Sequence, residues 1–256
     1  MKYLLFIIAM LLSIPISGQS KNRNIDFTIV LQNYNHSGLV DYSKLKKDKL
    51  FKYYLMELIK TNPDTLNSKN EKLAFWINAY NAFTIERILS SYPIESINDL
   101  HRGGRILAHI FGTTVWDEKF IVINKKKYSL NDIEHEIIRK QFKDPRVHFA
   151  LVCASISCPQ LRSEAYEGYK LESQLDEQAR IFFTDSTKNK FDIKNRVAYL
   201  SKILDWYESD FADNDKQLLK FVSRYVQTDL RKDIQSNIDS WKIEYLDYNW
   251  DLNDYK

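Results

Sequence analysis

Glycine and proline are scarce, with 6 and 5 copies in 256 residues. This shortage argues against a disordered linker, because such segments are usually rich in these residues and in polar tracts. Aromatic residues, in contrast, make up 14% of the chain. The composition therefore predicts well-packed elements joined by short turns, and no domain boundary is marked along the chain.

Neither sign of charge is in strong excess. The chain has 37 Lys and Arg against 34 Asp and Glu, which gives a formal net charge of +3. Residues 125–127 form a lysine triplet, which we interpret as the solvated tip of a hairpin. Without a longer basic run, the sequence gives little support to nucleic-acid binding, and we predict no nucleic-acid partner.

The N-terminus lacks the length of a membrane span. A basic start at Lys2 precedes an almost wholly apolar run over residues 3–16, which Ser17 and Gly18 follow. This order is typical of a secretory signal peptide, whereas a span needs about 20 apolar residues. We therefore predict a signal peptide over residues 1–18, a single globular domain over 19–256, no integral span after cleavage, and a periplasmic or secreted location. The alternative is an uncleaved membrane anchor.

The remaining pattern predicts a helix-dominated α+β domain with a small antiparallel sheet. Ser68 and Glu71 form a capping box at the start of the best-marked helix. Two hairpins are expected within residues 120–128 and 191–199, each followed by a serine-capped helix. Residues 146–152 are predicted to form a buried strand because they are rich in β-branched and aromatic side chains.

Two asparagines stand on one face of the apolar helix that follows Ser68. Asn78 and Asn81 are three positions apart, so they are neighbours on its surface. A buried amide without a partner costs about 1–3 kcal/mol. Both amides must therefore hydrogen-bond, either to the backbone of a neighbouring loop or to groups of a binding site.

Glu134 and His135 occupy the helix that Ser129 is expected to cap. Glu134 falls inside the buried stripe of that helix, and His135 falls at its edge. A carboxylate on an apolar face is either protonated or paired, and Arg139 or Arg146 could supply the cation. Buried acids also cluster at functional sites, so both residues are candidate catalytic groups.

His148 and the two cysteines, Cys153 and Cys158, lie in the most informative stretch, residues 147–161. In a regular strand, residues 148 and 153 face opposite sides, which disfavours a direct His148–Cys153 dyad. His135 lies on another element and is the preferred partner for either thiol. His148 is retained as a candidate binding residue.

The two thiols allow three states. A disulfide is the default in a secreted chain with two cysteines. A Cys153–Cys158 bridge would close a very small loop, worth about 2 kcal/mol, and requires residues 154–157 to turn back sharply. The alternatives are free thiols, buried or reactive, and a zinc site that recruits His135 or His148. The four intervening residues match no Cys-x-x-Cys redox motif.

Several segments, in this order and spacing, resemble the domain of unknown function 547 family. They are residues 74–82 (AFWINAYNA), 132–135 (DIEH), 148–153 (HFALVC), 157–159 (SCP), 199–203 (YLSKI) and 206–211 (WYESDF). The resemblance covers about residues 60–212 and implies no settled activity. The family positions that this sequence matches are Asn78, Asn81, Glu134, His135, His148, Cys153, Cys158 and Pro159.

Two functional hypotheses follow. The first is a non-catalytic envelope or binding domain for a small molecule or envelope component, in which a Cys153–Cys158 disulfide fixes the turn. The second is a thiol-dependent hydrolase or transferase acting on acyl or amide bonds, with Cys153 or Cys158 as nucleophile and His135 as base. Neither requires a cofactor or a metal. Either way, we expect a pocket where the Asn78/Asn81 face, the Glu134/His135 helix and the cysteine turn converge.

Overall fold

The computed structural model describes residues 23–100 and 114–256. The predicted signal peptide, residues 1–18, lies outside the described residues. The α-helices are α1 (Arg23–Tyr34), α2 (Tyr42–Leu45), α3 (Lys49–Lys60), α4 (Lys69–Leu89), α5 (Lys140–Phe142), α6 (Leu171–Thr184), α7 (Lys202–Trp206), α8 (Glu208–Phe211), α9 (Asp215–Ser223) and α10 (Thr228–Ser236). A π-helix, Asp132–Arg139, runs directly into α5.

The strands are β1 (Asn35–His36), β2 (Leu39–Val40), β3 (Ile121–Ile123), β4 (Lys126–Tyr128), β5 (Lys190–Asp192), β6 (Val197–Leu200) and β7 (Lys242–Tyr245). This content confirms the helix-dominated α+β class. The strands are divided among three small sheets. β1–β2, β3–β4 and β5–β6 pair antiparallel, whereas β7 joins β6 in parallel register after the chain has passed through α7 to α10.

Helix α4 is the central helix of the fold. The Ser68 hydroxyl accepts the Glu71 N–H at 3.1 Å, as the capping box predicts. The Glu71 carboxylate accepts the N–H of Asn67 at 2.9 Å, one residue earlier than in the standard box. Residues 73–85 are buried without interruption, so this helix is surrounded by other elements on all sides.

The β3–β4 hairpin positions the π-helix. Asn124 and Lys125 have φ values of 46° and 64°, as the two central residues of a tight hairpin turn require. After the hairpin, the Ser129 hydroxyl accepts the Asp132 N–H, and the Asp132 carboxylate accepts the Ser129 N–H, each at 2.9 Å. This reciprocal cap begins the helix where the sequence predicts it. π-helical turns occur frequently at functional sites.

The predicted strand over residues 146–152 is wrong. Pro145–Phe149 forms a 3₁₀-helix, because Pro145 has a backbone angle suited to a first helical turn and the Asp144 carboxylate accepts the Arg146 N–H at 2.9 Å. The carbonyl of Val147 then accepts the N–H groups of the two residues that follow the helix, at 2.9 and 3.0 Å. His148 and Cys153 therefore do not lie on opposite faces of a strand.

Buried apolar side chains form two clusters. The first core surrounds α4 and includes Tyr80, Leu151 and Cys158. The second core is rich in aromatic rings packed around Phe149 and includes Ile203. Side chains of both clusters line one cavity. The single domain over 19–256 stays a prediction. Within the described residues, no helix combines the length and apolar character needed to cross a membrane.

Candidate active site

A cavity of about 150 Å³ lies where the two cores meet, and we call it the cysteine pocket. Its lining comes from α4, the turn Val115–Asp117, the π-helix, the 3₁₀-helix with the segment after it, α7, and the C-terminal segment, residues 246–256. The lining residues are Tyr80, Trp116, Asn131, Glu134, His148, Leu151, Cys153, Cys158, Pro159, Ile203, Trp206, Tyr207, Tyr248 and Trp250. Trp206 is 48% exposed and stacks on Trp250 with the ring centroids 5.6 Å apart.

The cysteines lie at the two ends of a tight reversal of the chain. The Cys158 N–H donates to the Ser155 carbonyl at 3.1 Å, and Ala154 has a φ of 64°. Such a left-handed conformation costs a residue with a β-carbon about 1–2 kcal/mol. The sharp turn that a Cys153–Cys158 approach requires is therefore present, and the chain accepts backbone strain to make it.

The C-terminal segment holds this turn in place by main-chain hydrogen bonds. The Asn253 N–H donates to the Ala154 carbonyl at 3.0 Å, and the Ile156 N–H donates to the Asp251 carbonyl at 2.8 Å. Tyr248, from the same segment, reaches the thiol itself. The docking of the chain end on the cysteine turn therefore forms part of the site.

Cys153 is partly buried and touches two hydroxyl groups. Its Sγ lies 3.1 Å from Ser155 Oγ and 3.2 Å from Tyr248 Oη. Burial raises the pKa of the Cys153 thiol, but interactions with Cys158, Ser155 and Tyr248 outweigh it, so the pKa falls to about 7. Thiolate is the nucleophilic form of cysteine, so these contacts favour the nucleophilic form of Cys153.

Cys158 differs sharply from Cys153. It is 5% exposed, and its Sγ accepts the backbone N–H of Cys153 at 2.7 Å. Burial, followed by the neighbouring Cys153, raises the pKa of the Cys158 thiol well above its ordinary value. Both cysteines are free in the structure, so the predicted Cys153–Cys158 disulfide is not formed in it. The two residues instead meet through the N–H···S bond.

His148 lies in the wall of the pocket and is paired with an acid. Its Nε2 lies 2.6 Å from Asp210 Oδ2, and Arg139 donates to both oxygens of the same carboxylate. The bond with His148, and after it the bond with Arg139, holds the pKa of Asp210 far below its usual range despite burial. The ring of Tyr207 packs on His148 with centroids 4.1 Å apart, which fixes the plane of the imidazole.

The hydrogen bond to Asp210 determines which nitrogen of His148 is free to accept a proton. An ionised carboxylate can only accept hydrogen bonds, so Nε2 must donate. A neutral His148 then has its lone pair on Nδ1. A histidine oriented by a carboxylate in this way is the usual general base next to a nucleophile.

Glu134 lies in the pocket and does not form the predicted ion pair. Its Oε1 accepts the Tyr207 hydroxyl at 2.6 Å. Burial, and then the charge and hydrogen bond of Glu134, raise the pKa of Tyr207 far above its ordinary range. The two expected cations go elsewhere, Arg139 to Asp210 and Arg146 to a group of acids outside the pocket.

Asn81 positions the segment between His148 and Cys153. Its Nδ2 donates to the Ala150 carbonyl, and its Oδ1 accepts the Val152 N–H, each at 2.9 Å. Asn78 makes the same pair of bonds, at 2.8 Å, with the backbone of Tyr166. Neither amide lines the pocket. Both amides therefore hydrogen-bond to the backbone of a neighbouring loop, as one of the two expectations stated. Only Asn81 does so next to the pocket, between His148 and Cys153.

His135, the base that the sequence favours, is held by another residue. Its Nδ1 lies 2.9 Å from Arg139 Nη1, and the ring is not part of the pocket lining. The expected convergence is therefore partial. Glu134 and both cysteines reach the pocket, whereas His135, Asn78 and Asn81 do not line it. His148, by contrast, lines the pocket.

Tyr207, Asp210 and Tyr248 are site residues that the sequence reasoning did not select. The first two lie in residues 206–211, a segment noted for its resemblance but given no role. Tyr248 lies in the alternating aromatic end of the chain. A signal was therefore present in both segments, but only the fold shows which side chains meet the thiol.

No metal centre emerges from this arrangement. Across residues 23–100 and 114–256, no three His, Cys, Asp or Glu side chains form a group that could hold a metal ion. The thiols do meet each other, but neither His135 nor His148 joins them in such a group. The zinc alternative thus finds no support in the described part of the chain.

Comparison with known proteins yields one finding. Residues 63–183 match a family model described as "Protein of unknown function, DUF547". The chain therefore resembles that family over a stretch that includes α4, the π-helix and the cysteine turn. No curated protein and no solved structure matches the chain.

Proposed function

We propose that this protein is a thiol-dependent hydrolase or transferase that acts on acyl or amide bonds, with Cys153 as nucleophile and His148 as general base and acid. One observation carries the proposal. A thiol with a pKa of about 7 lines the same small cavity as a histidine that is bonded to a carboxylate. This combination supplies a nucleophile, a base and an orienting acid.

The reaction follows from these groups. The Cys153 thiolate attacks the carbonyl carbon of the substrate and forms a thioester, while the bond from that carbon to the leaving group breaks. His148 gives the leaving group the proton that it has taken from the Cys153 thiol, and then removes a proton from the water or acceptor that releases the acyl group. Asp210 keeps the imidazole in one tautomer throughout.

Tyr80 offers a donor to the oxygen that gains negative charge during the attack. It lines the pocket, and burial raises its pKa well above the ordinary value. The hydroxyl therefore stays protonated at neutral pH, where it can donate a hydrogen bond. Donors aimed at a developing oxyanion give a large part of the rate enhancement in acyl transfer.

The structure gives less support to a purely binding role. That hypothesis rests on a disulfide that fixes the turn, whereas the thiols here are free and the turn is held by the C-terminal segment. The signal-like N-terminus supports placing the reaction in the periplasm or outside the cell. The chemical class of the substrate is the same in either location.

An acyl-transfer assay tests this function. The mature chain is mixed with p-nitrophenyl acetate, release of p-nitrophenolate is followed, and the acetylated residue is located by mass spectrometry. We expect a burst that matches the protein concentration and an acetyl group on Cys153. Cys153→Ser should abolish the burst, and His135→Gln, a matched imidazole-to-amide control, should preserve it. Acetylation confined to lysines, with no burst, would refute the proposal.

A further inference from the structure

The two thiols of the pocket are arranged for sequential reaction with each other. Cys153 is partly exposed, lines the cavity and is the more acidic of the two. Cys158 also lines the cavity but is more deeply buried, and it keeps its proton. In thiol–disulfide exchange the attacking thiol reacts fastest when its pKa is near the ambient pH. Cys153 meets that condition and Cys158 does not.

The fold holds the second sulfur next to the first residue. The backbone N–H of Cys153 donates to Cys158 Sγ at 2.7 Å, and the turn that brings it there is closed by the Ser155–Cys158 hydrogen bond. A disulfide requires the two α-carbons to approach within about 7 Å. The 2.7 Å contact between Cys153 N and Cys158 Sγ brings the two residues together within one turn, as such an approach needs.

The surroundings of Cys153 favour its thiolate over its thiol. Ser155 and Tyr248 place hydroxyl groups 3.1 and 3.2 Å from its Sγ. Tyr248 is itself kept protonated, because burial and the neighbouring Cys153 raise its pKa well above the ordinary value. The Tyr248 hydroxyl therefore remains a donor to sulfur, while the Ser155 hydroxyl donates to Tyr248 Oη at 3.0 Å. This chain of hydroxyl groups stabilises a thiolate at Cys153, both as nucleophile and as leaving group.

We propose that Cys153 and Cys158 form a redox-active dithiol that reduces small organic disulfides admitted to the cysteine pocket. The Cys153 thiolate attacks one sulfur of the substrate disulfide. A mixed disulfide forms on Cys153, and the first substrate thiolate leaves. Cys158 then attacks Cys153 Sγ, its proton passes to the second departing thiolate, and the Cys153–Cys158 disulfide closes. One substrate disulfide is reduced to two thiols as the protein dithiol is oxidised.

This activity shares Cys153 with the proposed acyl chemistry but needs neither His148 nor a carbonyl substrate. The two functions therefore exclude each other in time, since the closed disulfide has no thiolate to offer an acyl group. Cys158 takes part in no bond-making step of the acyl reaction, although its interaction with Cys153 lowers the pKa of that thiol. Its presence beside the nucleophile is accounted for by exchange.

Oxidised glutathione is the probe that tests the dithiol. The reduced mature chain is incubated with it, the reaction is quenched with acid, and the intact mass of the protein is measured by mass spectrometry. Cys158→Ser and Cys153→Ser are treated in the same way. We expect the wild-type chain to lose the mass of two hydrogen atoms. Cys158→Ser should stop at one glutathione adduct on Cys153, and native Cys153→Ser should stay unmodified because Cys158 is buried.

Two results would overturn the dithiol. One is a wild-type chain that stops at a stable glutathione adduct on Cys153, and the other is a wild-type chain that shows no change. The p-nitrophenyl acetate burst, measured on the wild-type chain and on Cys158→Ser, tests the acyl chemistry separately from the dithiol. If both chains show the burst but the wild-type chain forms no disulfide, the acyl function is supported and the dithiol is refuted. If the wild-type chain forms the disulfide but neither chain shows a burst, the dithiol is supported and the acyl function is refuted.

Discussion

His135 and His148 both contact the cluster formed by Arg139, Tyr207 and Asp210, but through different members. A guanidinium group can only donate, so His135 must use the lone pair of Nδ1 to accept from Arg139. A carboxylate can only accept, so His148 must donate from Nε2 to Asp210 and keeps a lone pair on Nδ1. The partner of the ring, more than its proximity, decides which histidine can serve as a base.

The two thiols also differ because of the groups that contact them. Cys153 and Cys158 share one short turn, yet the pKa of the Cys153 thiol is lowered to about 7 and that of the Cys158 thiol is raised well above its ordinary value. Cys153 is surrounded by hydroxyl groups, whereas Cys158 is buried in the first core. Reactivity therefore follows from the groups that solvate each sulfur.

The sharpest test of the comparison substitutes each histidine by glutamine. His148→Gln should lower acyl transfer from p-nitrophenyl acetate by about 10²- to 10⁴-fold, since it removes a general base. His135→Gln should stay within a few-fold of the wild-type rate, because an amide oxygen can still accept from Arg139. Burst rates of the two variants at neutral pH give the measurement. Equal losses in both would abolish the distinction between the two rings.

The pairing of Asp210 with His148 and Arg139 can be tested by the pH dependence of protein stability. Its folded pKa lies below the ordinary value, mainly through His148 and Arg139. A depressed carboxyl pKa stabilises the folded state above the unfolded pKa, and this contribution is lost as pH falls. We therefore expect the free energy of unfolding to decline below about pH 4, and to decline less steeply in Asp210→Asn.

Denaturant unfolding of both chains between neutral and acidic pH measures this difference. Other carboxyl groups, such as Asp41 and Glu164, have pKa values lowered to about 2 and contribute equally to both curves. The difference between the curves therefore isolates Asp210. Parallel curves would show that Asp210 gains nothing from His148 and Arg139 in the folded state.

Alanine variants of the two asparagines are expected to show smaller effects than the histidine variants. Asn78→Ala and Asn81→Ala each leave a buried N–H and C=O of the backbone without a partner, which costs about 1–3 kcal/mol of stability per group. Only Asn81 holds the segment between His148 and Cys153. We expect both variants to unfold more easily, and Asn81→Ala alone to lose acyl transfer at a temperature where both remain folded. A matching loss in Asn78→Ala would mean that the effect is global.

The sequence predicts most of the fold but less of the site. Ser68, Ser129 and the hairpin at Asn124 are local signals, and each marks a boundary where the structure has one. The 3₁₀-helix at Pro145 is missed because its β-branched and aromatic content is also what a strand requires. Asp210 and Tyr248 are missed because they meet residues 62 and 95 positions away. Only tertiary packing creates such contacts.

Tyr248 offers the smallest and most direct test of the thiol. Its hydroxyl lies 3.2 Å from Cys153 Sγ, and loss of a hydrogen bond to a charged group is worth about 1.5–3 kcal/mol, or about one to two pKa units. The rate of alkylation by iodoacetamide should rise with pH around a midpoint of about 7 in the wild-type chain. Removal of the donor destabilises the thiolate, so the midpoint in Tyr248→Phe should move upward. An unchanged midpoint would assign the acidity of Cys153 to Ser155 and Cys158 alone.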